Sequence, residues 1–374
     1  MLERRLLEFI NGSLLKDGVA VDADARLFED GYIDSIRVLD LIAFVEREIG
    51  RKVPDKLVRL STFRSVRAIV ATVENGLKDT HPEGERLLEY RGRRDLLASP
   101  IEALIARKEL NVASDGQVAL AGAALAIFEF FDARIRVWGE ELGATTRELS
   151  SRIRLATLER AEFTTAFPQL LVSADAEHAL TPAVCYHCYP ERAGQTLTDE
   201  VILSVKARCH RNESIVVPLE RQREFTMREI VFFGTRRGVE RIRQQLVQRV
   251  GRFVNALSLD GFVEAASDPF FTTASQGKRL VQSAGALKLE LHLTLEGKRS
   301  VAVASFNHHH DHFGSRFGIT LTDGKFAHSG CVAFGLERWV LAFLTQHGLD
   351  ESRWPEEVRA SLSSRGGRVG VGST

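Results

Sequence analysis

Leu287, Leu289, Leu291, Leu293 and Leu295 alternate with Lys288, Glu290, His292 and Thr294, so this stretch reads as a strand with one apolar face. The turn Glu296-Gly297-Lys298-Arg299 leads into a second strand over 300–306, so the two pair antiparallel. A second pair lies upstream. Ile202 to Arg208 is an apolar run, Asn212 to Arg223 a polar connection containing Pro218, and Phe225 to Phe233 a run rich in bulky residues. Between the two pairs, Val239, Ile242, Leu246, Val250, Phe253 and Leu257 recur at helical spacing. Pro100 can open a helix, and 123–142 carries a long apolar helical run. The class expected is α+β, with an antiparallel sheet flanked by helices.

The upstream hairpin carries the densest chemistry. Arg211, Glu213, Arg221, Phe225 and Glu229 sit on it or beside it. Guanidiniums take phosphate oxygens bidentately and an aromatic ring stacks on a base, so nucleotide chemistry is one reading of the stretch. A salt-bridged surface hairpin is the other.

Longer phrases decide between them. His210-Arg211-Asn212-Glu213, then Arg221, Phe225 and Met227-Arg228-Glu229 ahead of Ile230-Val231-Phe232-Phe233-Gly234, resemble motif 2 of class II aminoacyl-tRNA synthetases. Downstream, GCVAFGLERWVLAF from Gly330 to Phe343 resembles their motif 3, a strand running into a helix that bears an arginine. TPAVCYH, the M-R-E strand, SFN followed by H-x-D-H-F-G, and GCVAFGLER resemble most closely the amino acid:carrier-protein ligases, which are similar to the catalytic core of archaeal-type seryl-tRNA synthetases. The resemblance covers most of 94–362.

The first 77 residues read as a small helical domain. Leu2, Leu6, Phe9, Ile10 and Leu14 have helical spacing; a loop then leads through Asp30-Gly31 to Asp34-Ser35, a second helix to Gly50 and a short last helix over 62–75. LFEDGYIDSIRVLDLIAFVE resembles acyl and peptidyl carrier proteins, whose serine at the start of the second helix carries 4′-phosphopantetheine. Ser35 is that residue here. As an isolated dipeptide, Asp34-Ser35 equally suits a plain helix N-cap. The basic residues Arg37, Arg47, Arg51 and Lys52 depart from the acidic surface common in free carriers. The resemblance implies a four-helix carrier bundle over 1–77, then a polar linker over 78–97, then a synthetase-like catalytic domain over 98–374. About 20 flexible residues reach roughly 25 Å, which raises the effective concentration of a tethered carrier.

The balance of 50 Lys and Arg against 50 Asp and Glu gives no basic excess and argues against bulk nucleic-acid binding. All four cysteines lie from Cys185 onward, and residues 1–11 have neither a basic leader nor a long apolar core. A reduced, cytoplasmic protein without a signal peptide or membrane span is expected.

Cys185 and Cys188 form a C-x-x-C, but no second pair completes a zinc knuckle. The resemblance implies a different set: Cys185, Glu229 and Cys331 around a catalytic Zn²⁺. Three protein ligands leave a tetrahedral position for the α-amine of an amino acid. Cys188 and Cys209 are read as buried structural thiols. His308, His309 and His310 invite a metal reading, but successive strand residues point to opposite faces and so cannot all reach one ion.

The resemblance further implies that Arg211 and Glu229 are catalytic. Arg211, Glu213, Arg221, Phe225, Lys288, Ser305, Asn307 and Arg338 would contact ATP, with Phe225 on adenine and Arg338 near the helix start facing the terminal phosphate. Mg²⁺ would accompany ATP. The 162–173 segment, with Pro168, stands where motif 1 builds a homodimer. The expected reaction is activation of a small amino acid, glycine or alanine, followed by transfer to phosphopantetheine in cis or in trans. A seryl-type tRNA synthetase and a catalytically silent carrier or scaffold protein are the alternatives; the first 80 residues lack the heptads of a tRNA-binding coiled-coil arm.

Overall fold

The structure is a computed structural model. It describes residues 2–15, 20–27, 30, 32, 41, 44–45, 48, 60–74, 86–93, 97–213, 215–266 and 288–366. Residues 2–74 of this set belong to one compact unit, and those from 86 to 265 and from 288 onward to another.

In the first unit, Leu2–Phe9 is α-helical and Ile10–Leu14 continues it as a π-helix, which buries Leu6, Ile10 and Leu14. Leu41, Phe44 and Val45 pack with them, as do Phe63, Val66, Ile69 and Val70 from the helices Leu60–Phe63 and Val66–Glu74. Phe9 stacks on Phe44 at a centroid distance of 4.2 Å. Arg67 makes a two-pronged contact with Asp24, at 2.6 and 2.9 Å, and so ties the loop to the last helix. A small helical core is therefore present, but no distinct four-helix bundle is delineated among the described residues. Asp34 and Ser35 lie outside them.

The second unit is built on one eight-stranded sheet. Its strands are β1 (Arg86–Tyr90), β2 (Thr145–Glu148), β3 (Val201–His210), β4 (Glu224–Gly234), β5 (Gly261–Ala265), β6 (Lys288–Thr294), β7 (Ser300–His308) and β8 (His328–Gly335). Their spatial order is β1-β5-β6-β7-β8-β4-β3-β2. Neighbours are antiparallel except β2 and β3. Both sequence-predicted hairpins form, β3 with β4 and β6 with β7. Residues 86–90, assigned to the linker on composition, instead make the edge strand β1. Tyr90 explains the difference: its buried ring lies over Gly251, where a Cβ would stand 2.5 Å from its hydroxyl.

Period-two alternation divides the chemistry between two faces. Ile230 and Phe232 of β4, Ala304 and Phe306 of β7, and Val332 and Phe334 of β8 join a large core with three helices. These are α1 (Gly122–Glu141), α2 (Arg236–Ala256) and α3 (Leu336–His347). Helix α2 starts where the Thr235 side chain accepts a hydrogen bond from the Gly238 amide at 3.1 Å, and it buries Val239, Ile242, Leu246, Val250 and Phe253. Each such side chain contributes about 1.5–3 kcal/mol on burial. The opposite face is only partly covered, by a smaller core that includes Val184, Tyr189, Phe313 and Phe317. The site lies on that face. Among the described residues no helix is long and apolar enough to cross a membrane.

Candidate active site

The uncovered face holds a pocket lined by Arg211, Glu213, Arg221 and Phe225 from the β3–β4 hairpin, Lys288 and Glu290 from β6, Ser305 from β7, and Glu337 and Arg338 from the start of α3. Seven of the eight residues expected at ATP therefore share one cavity. Asn307 is the exception. Its amide donates to Ser305 Oγ at 3.0 Å and to Cys331 Sγ at 3.4 Å, which puts it between the pocket and the cysteines.

The pocket's cations are held by their neighbours. Arg338 is half-buried and donates to the carbonyls of Glu220 and Ala302, at 2.7 and 2.9 Å. Burial, and after it the charge of Arg211, lowers its pKa. Arg211 lies over the Phe225 ring at 5.2 Å and donates to the Pro182 carbonyl at 3.2 Å. Arg221 pairs with Glu213 at 2.7 Å. Lys288 Nζ sits 3.0 Å from Glu290. Burial opposes ionisation of Glu290, but Lys288 and then His292 outweigh it and hold the carboxyl well below the usual carboxylate range. Buried Glu337 accepts the Thr226 amide on both oxygens, at 2.8 and 2.9 Å, and so joins α3 to β4. Sequence analysis assigns it no role.

Alternation carries the same face onward along β4, from Phe225 and Met227 to Glu229. On β8, Cys331 is diagonal to Glu229 through the pairings Cys331↔Val231 and Ala333↔Glu229. The 3₁₀ turn Val184–His187 brings in Cys185, and Glu229 Oε1 accepts the amides of Val184 and Cys185 at 2.7 and 3.0 Å. The ligand atoms of Cys185, Glu229 and Cys331 all lie within 4.8 Å of one another, and all three residues are buried. Cys188 lies outside the cluster, as does Cys209; both are buried in the core behind it.

All three acids have raised pKa values, and burial is a cause in each. For Glu229, burial wins over hydrogen bonds from Cys331 and the Cys185 amide. Cys185 is lowered by its hydrogen bond with Cys331, but burial and Glu229 outweigh this and leave it raised. The hydrogen bond with Cys185, then burial, then Glu229 drive Cys331 well up. Two thiols and a carboxylate buried together are a donor set that fits a divalent, thiophilic cation.

The structure adds His309, which sequence analysis did not assign. Its Nε2 is 3.7 Å from Cys331 Sγ, and its Nδ1 is 3.1 Å from Ser329 Oγ. Burial, then the charge of His308, pushes its pKa down to about 3, so the ring is neutral. Parity with Ser305 and Asn307 is the signal that points to it.

The fold is class II synthetase-like, a largely antiparallel sheet flanked by helices. Residues 174–347 match the family model described as tRNA synthetase class II core domain (G, H, P, S and T). Over 190 residues the chain is 39% identical to amino acid--[acyl-carrier-protein] ligase 1 of Bradyrhizobium diazoefficiens, covering 50% of this chain and 58% of that one. Over 262 residues it is 28% identical to type-2 serine--tRNA ligase of Methanopyrus kandleri, covering 64% of this chain and 44% of that one. The chain thus spans about half the length of these curated relatives. Among solved structures, the M. kandleri SerRS in complex with A. aeolicus tRNASec superimposes with a TM-score of 0.67 at 20% identity, covering 85% of this chain and 71% of that chain. Seryl-tRNA synthetase from Pyrococcus horikoshii complexed with ATP gives 0.62 at 13% identity, covering 88% of each chain. At these identities the structural likeness is one of fold.

Proposed function

We propose that this chain activates a small amino acid, glycine or alanine, with ATP and passes it to the phosphopantetheine thiol of a carrier protein, its own residues 1–77 being the first candidate acceptor. The observation that carries this reading is one continuous sheet face, with a pocket holding Arg211, Arg221, Lys288 and Arg338 at one end and the Cys185–Glu229–Cys331 cluster at the other.

Cys185, Glu229 and Cys331 are the residues that would hold Zn²⁺, and a bound ion with a free fourth position supplies recognition of an α-amine, while Mg²⁺ offsets phosphate charge. Arg211 orients the amino acid's carboxylate toward the α-phosphate, Phe225 stacks on adenine, and Arg338 takes the terminal phosphate. Lys288, Arg221, Glu213 and Ser305 complete the nucleotide contacts. A carboxylate oxygen bonds to the α-phosphorus as the bond to pyrophosphate breaks. Pre-placed guanidiniums meet charge that develops at phosphorus, commonly the largest catalytic contribution. The carrier thiol then gives up its proton, attacks the acyl carbon and expels AMP. Likeness to the carrier-protein ligase supports this acceptor over tRNA. Ser35 enters on sequence resemblance, and a homodimer through 162–173 belongs to the same reading.

ATP–pyrophosphate exchange tests the first step. Exchange that depends on glycine or alanine, falls on metal chelation and drops about 10²–10³-fold in Arg338→Ala is expected. Absence of exchange with every amino acid would favour a silent scaffold, and charging of tRNA rather than carrier would favour a synthetase.

A further inference from the structure

A second cluster lies on the helix-covered face of the same strands. His308, His310 and His328 each offer a ring nitrogen, and these atoms lie within 4.8 Å of one another. Regular strand geometry would not achieve this, and His309 does point to the other face. The chain leaves the strand after His308, however, and His310 adopts a left-handed φ of 51°. That turn brings the His310 ring to a centroid distance of 4.7 Å from His308.

Strand pairing supplies the third ring. His308 stands opposite Gly330. A Cβ at Gly330 would meet the Phe232 ring at 2.5 Å and the Asn307 carbonyl oxygen at 2.7 Å. That space is taken by Phe232 and the Asn307 carbonyl, and the third ring comes from the diagonal neighbour His328, whose Nδ1 lies 3.3 Å from His308 Nε2. An ion with tetrahedral metal–nitrogen bonds of about 2.0–2.1 Å holds its nitrogens roughly 3.3 Å apart. A hydrogen bond between two neutral imidazoles has similar spacing, so the third ring is the discriminating feature: His310 also faces His328, at a centroid distance of 5.8 Å.

We propose that His308, His310 and His328 form a second metal site, distinct from the Cys185–Glu229–Cys331 cluster, which takes a divalent first-row cation of the zinc class. Neutral imidazoles suit such ions, and three of them leave a fourth position for water. His308 is buried while His310 and His328 are half-buried, which gives the ion a route in. Arg236 and Arg243 of α2 bear on His308, and Asp311 on His328. The guanidiniums oppose a cation and Asp311 favours one, so affinity rests on coordination and is expected to be weaker than at the thiolate cluster. The ligands come from the end of β7, the following turn and the start of β8. A bound ion would pin that turn, which also carries His309 toward Cys331.

The test uses the full chain with Cys185→Ser and Cys331→Ser, stripped of metal and titrated with Co²⁺ and then Zn²⁺. One equivalent of Co²⁺ with tetrahedral d–d bands and no thiolate charge-transfer band is expected, together with a rise in Tm on Zn²⁺ addition. Adding His310→Asn or His328→Asn should weaken binding at least tenfold. No saturable binding by a folded double-serine variant, or binding indifferent to both histidine changes, would overturn the proposal. If the double-serine variant does not fold, metal content of the otherwise unaltered chain decides: two equivalents falling to one in His310→Asn supports the site, and one equivalent in both contradicts it.

Discussion

The two donor clusters sit on opposite faces of β7 and β8 and differ in nearly every respect. Cys185, Glu229 and Cys331 come from three separate elements, are buried, and share a sheet face with the arginine-bearing pocket. His308, His310 and His328 come largely from one stretch, lie at the sheet's end, and have guanidiniums rather than a pocket for company. The first set is acidic and needs a cation to hold charge in its buried setting; in the second, the ring nitrogens of His308 and His328 meet at 3.3 Å. Similar ligand-atom spacing is therefore reached in two different settings.

The largest expected effect separates them. Cys331→Ala should remove one metal equivalent and lower amino-acid-dependent exchange by about 10³-fold or more, the scale of a lost catalytic group. His308→Gln should lower the second equivalent and leave exchange within severalfold. Parallel metal analysis and exchange assays check both, and equal losses of exchange would erase the distinction.

Acidity gives the next contrast. Both thiols are raised above their ordinary range in the metal-free protein, so a bound ion must displace their protons. Apparent Zn²⁺ affinity at that cluster should therefore rise with pH, by roughly a hundredfold per unit where two protons leave. The histidine site has no thiol protons to displace, so its slope should be shallower over the same range. Competition with a chromophoric chelator at several pH values reads both slopes.

A smaller effect is expected at His309. Its Nε2 lies 3.7 Å from Cys331 Sγ, so His309→Gln should weaken metal binding at the cysteine cluster by about tenfold, the low end for a residue supporting a ligand. Rescue by His309→Asn would argue for hydrogen bonding alone. Gly330→Ala should give the mildest loss. Its Cβ would crowd Phe232 and the Asn307 carbonyl, at about 1–3 kcal/mol in denaturant unfolding, and should disturb both clusters together.

How far sequence foretold these features depends on the physical signal each leaves. Period-two leucines from 287 to 295 fix strand β6, and the apolar runs around Pro218 fix the β3–β4 hairpin, because alternation is a local property. Cys185, Glu229 and Cys331 have no local pattern; only the phrases around them, matched as a set, brought them together. The linker composition concealed β1, since one buried residue, Tyr90, outweighs its charged neighbours. Strand alternation set aside His308, His309 and His310 as a single site, and His309 does point to the other face; alternation gave no sign that His310 returns through a left-handed turn or that pairing delivers His328 from another strand. Glu337 was missed because a helix-start carboxylate looks the same in sequence whether it faces water or clamps the Thr226 amide.

Intact-protein mass spectrometry offers the most direct test of amino-acid activation and carrier loading. The chain is treated with a phosphopantetheinyl transferase and coenzyme A, then with ATP, Mg²⁺ and mixed amino acids. The account predicts a phosphopantetheine increment lost in Ser35→Ala, followed by a glycine or alanine increment lost in Cys331→Ala. A modified Ser35 that never gains an amino acid, alone or with an added carrier protein, would contradict it.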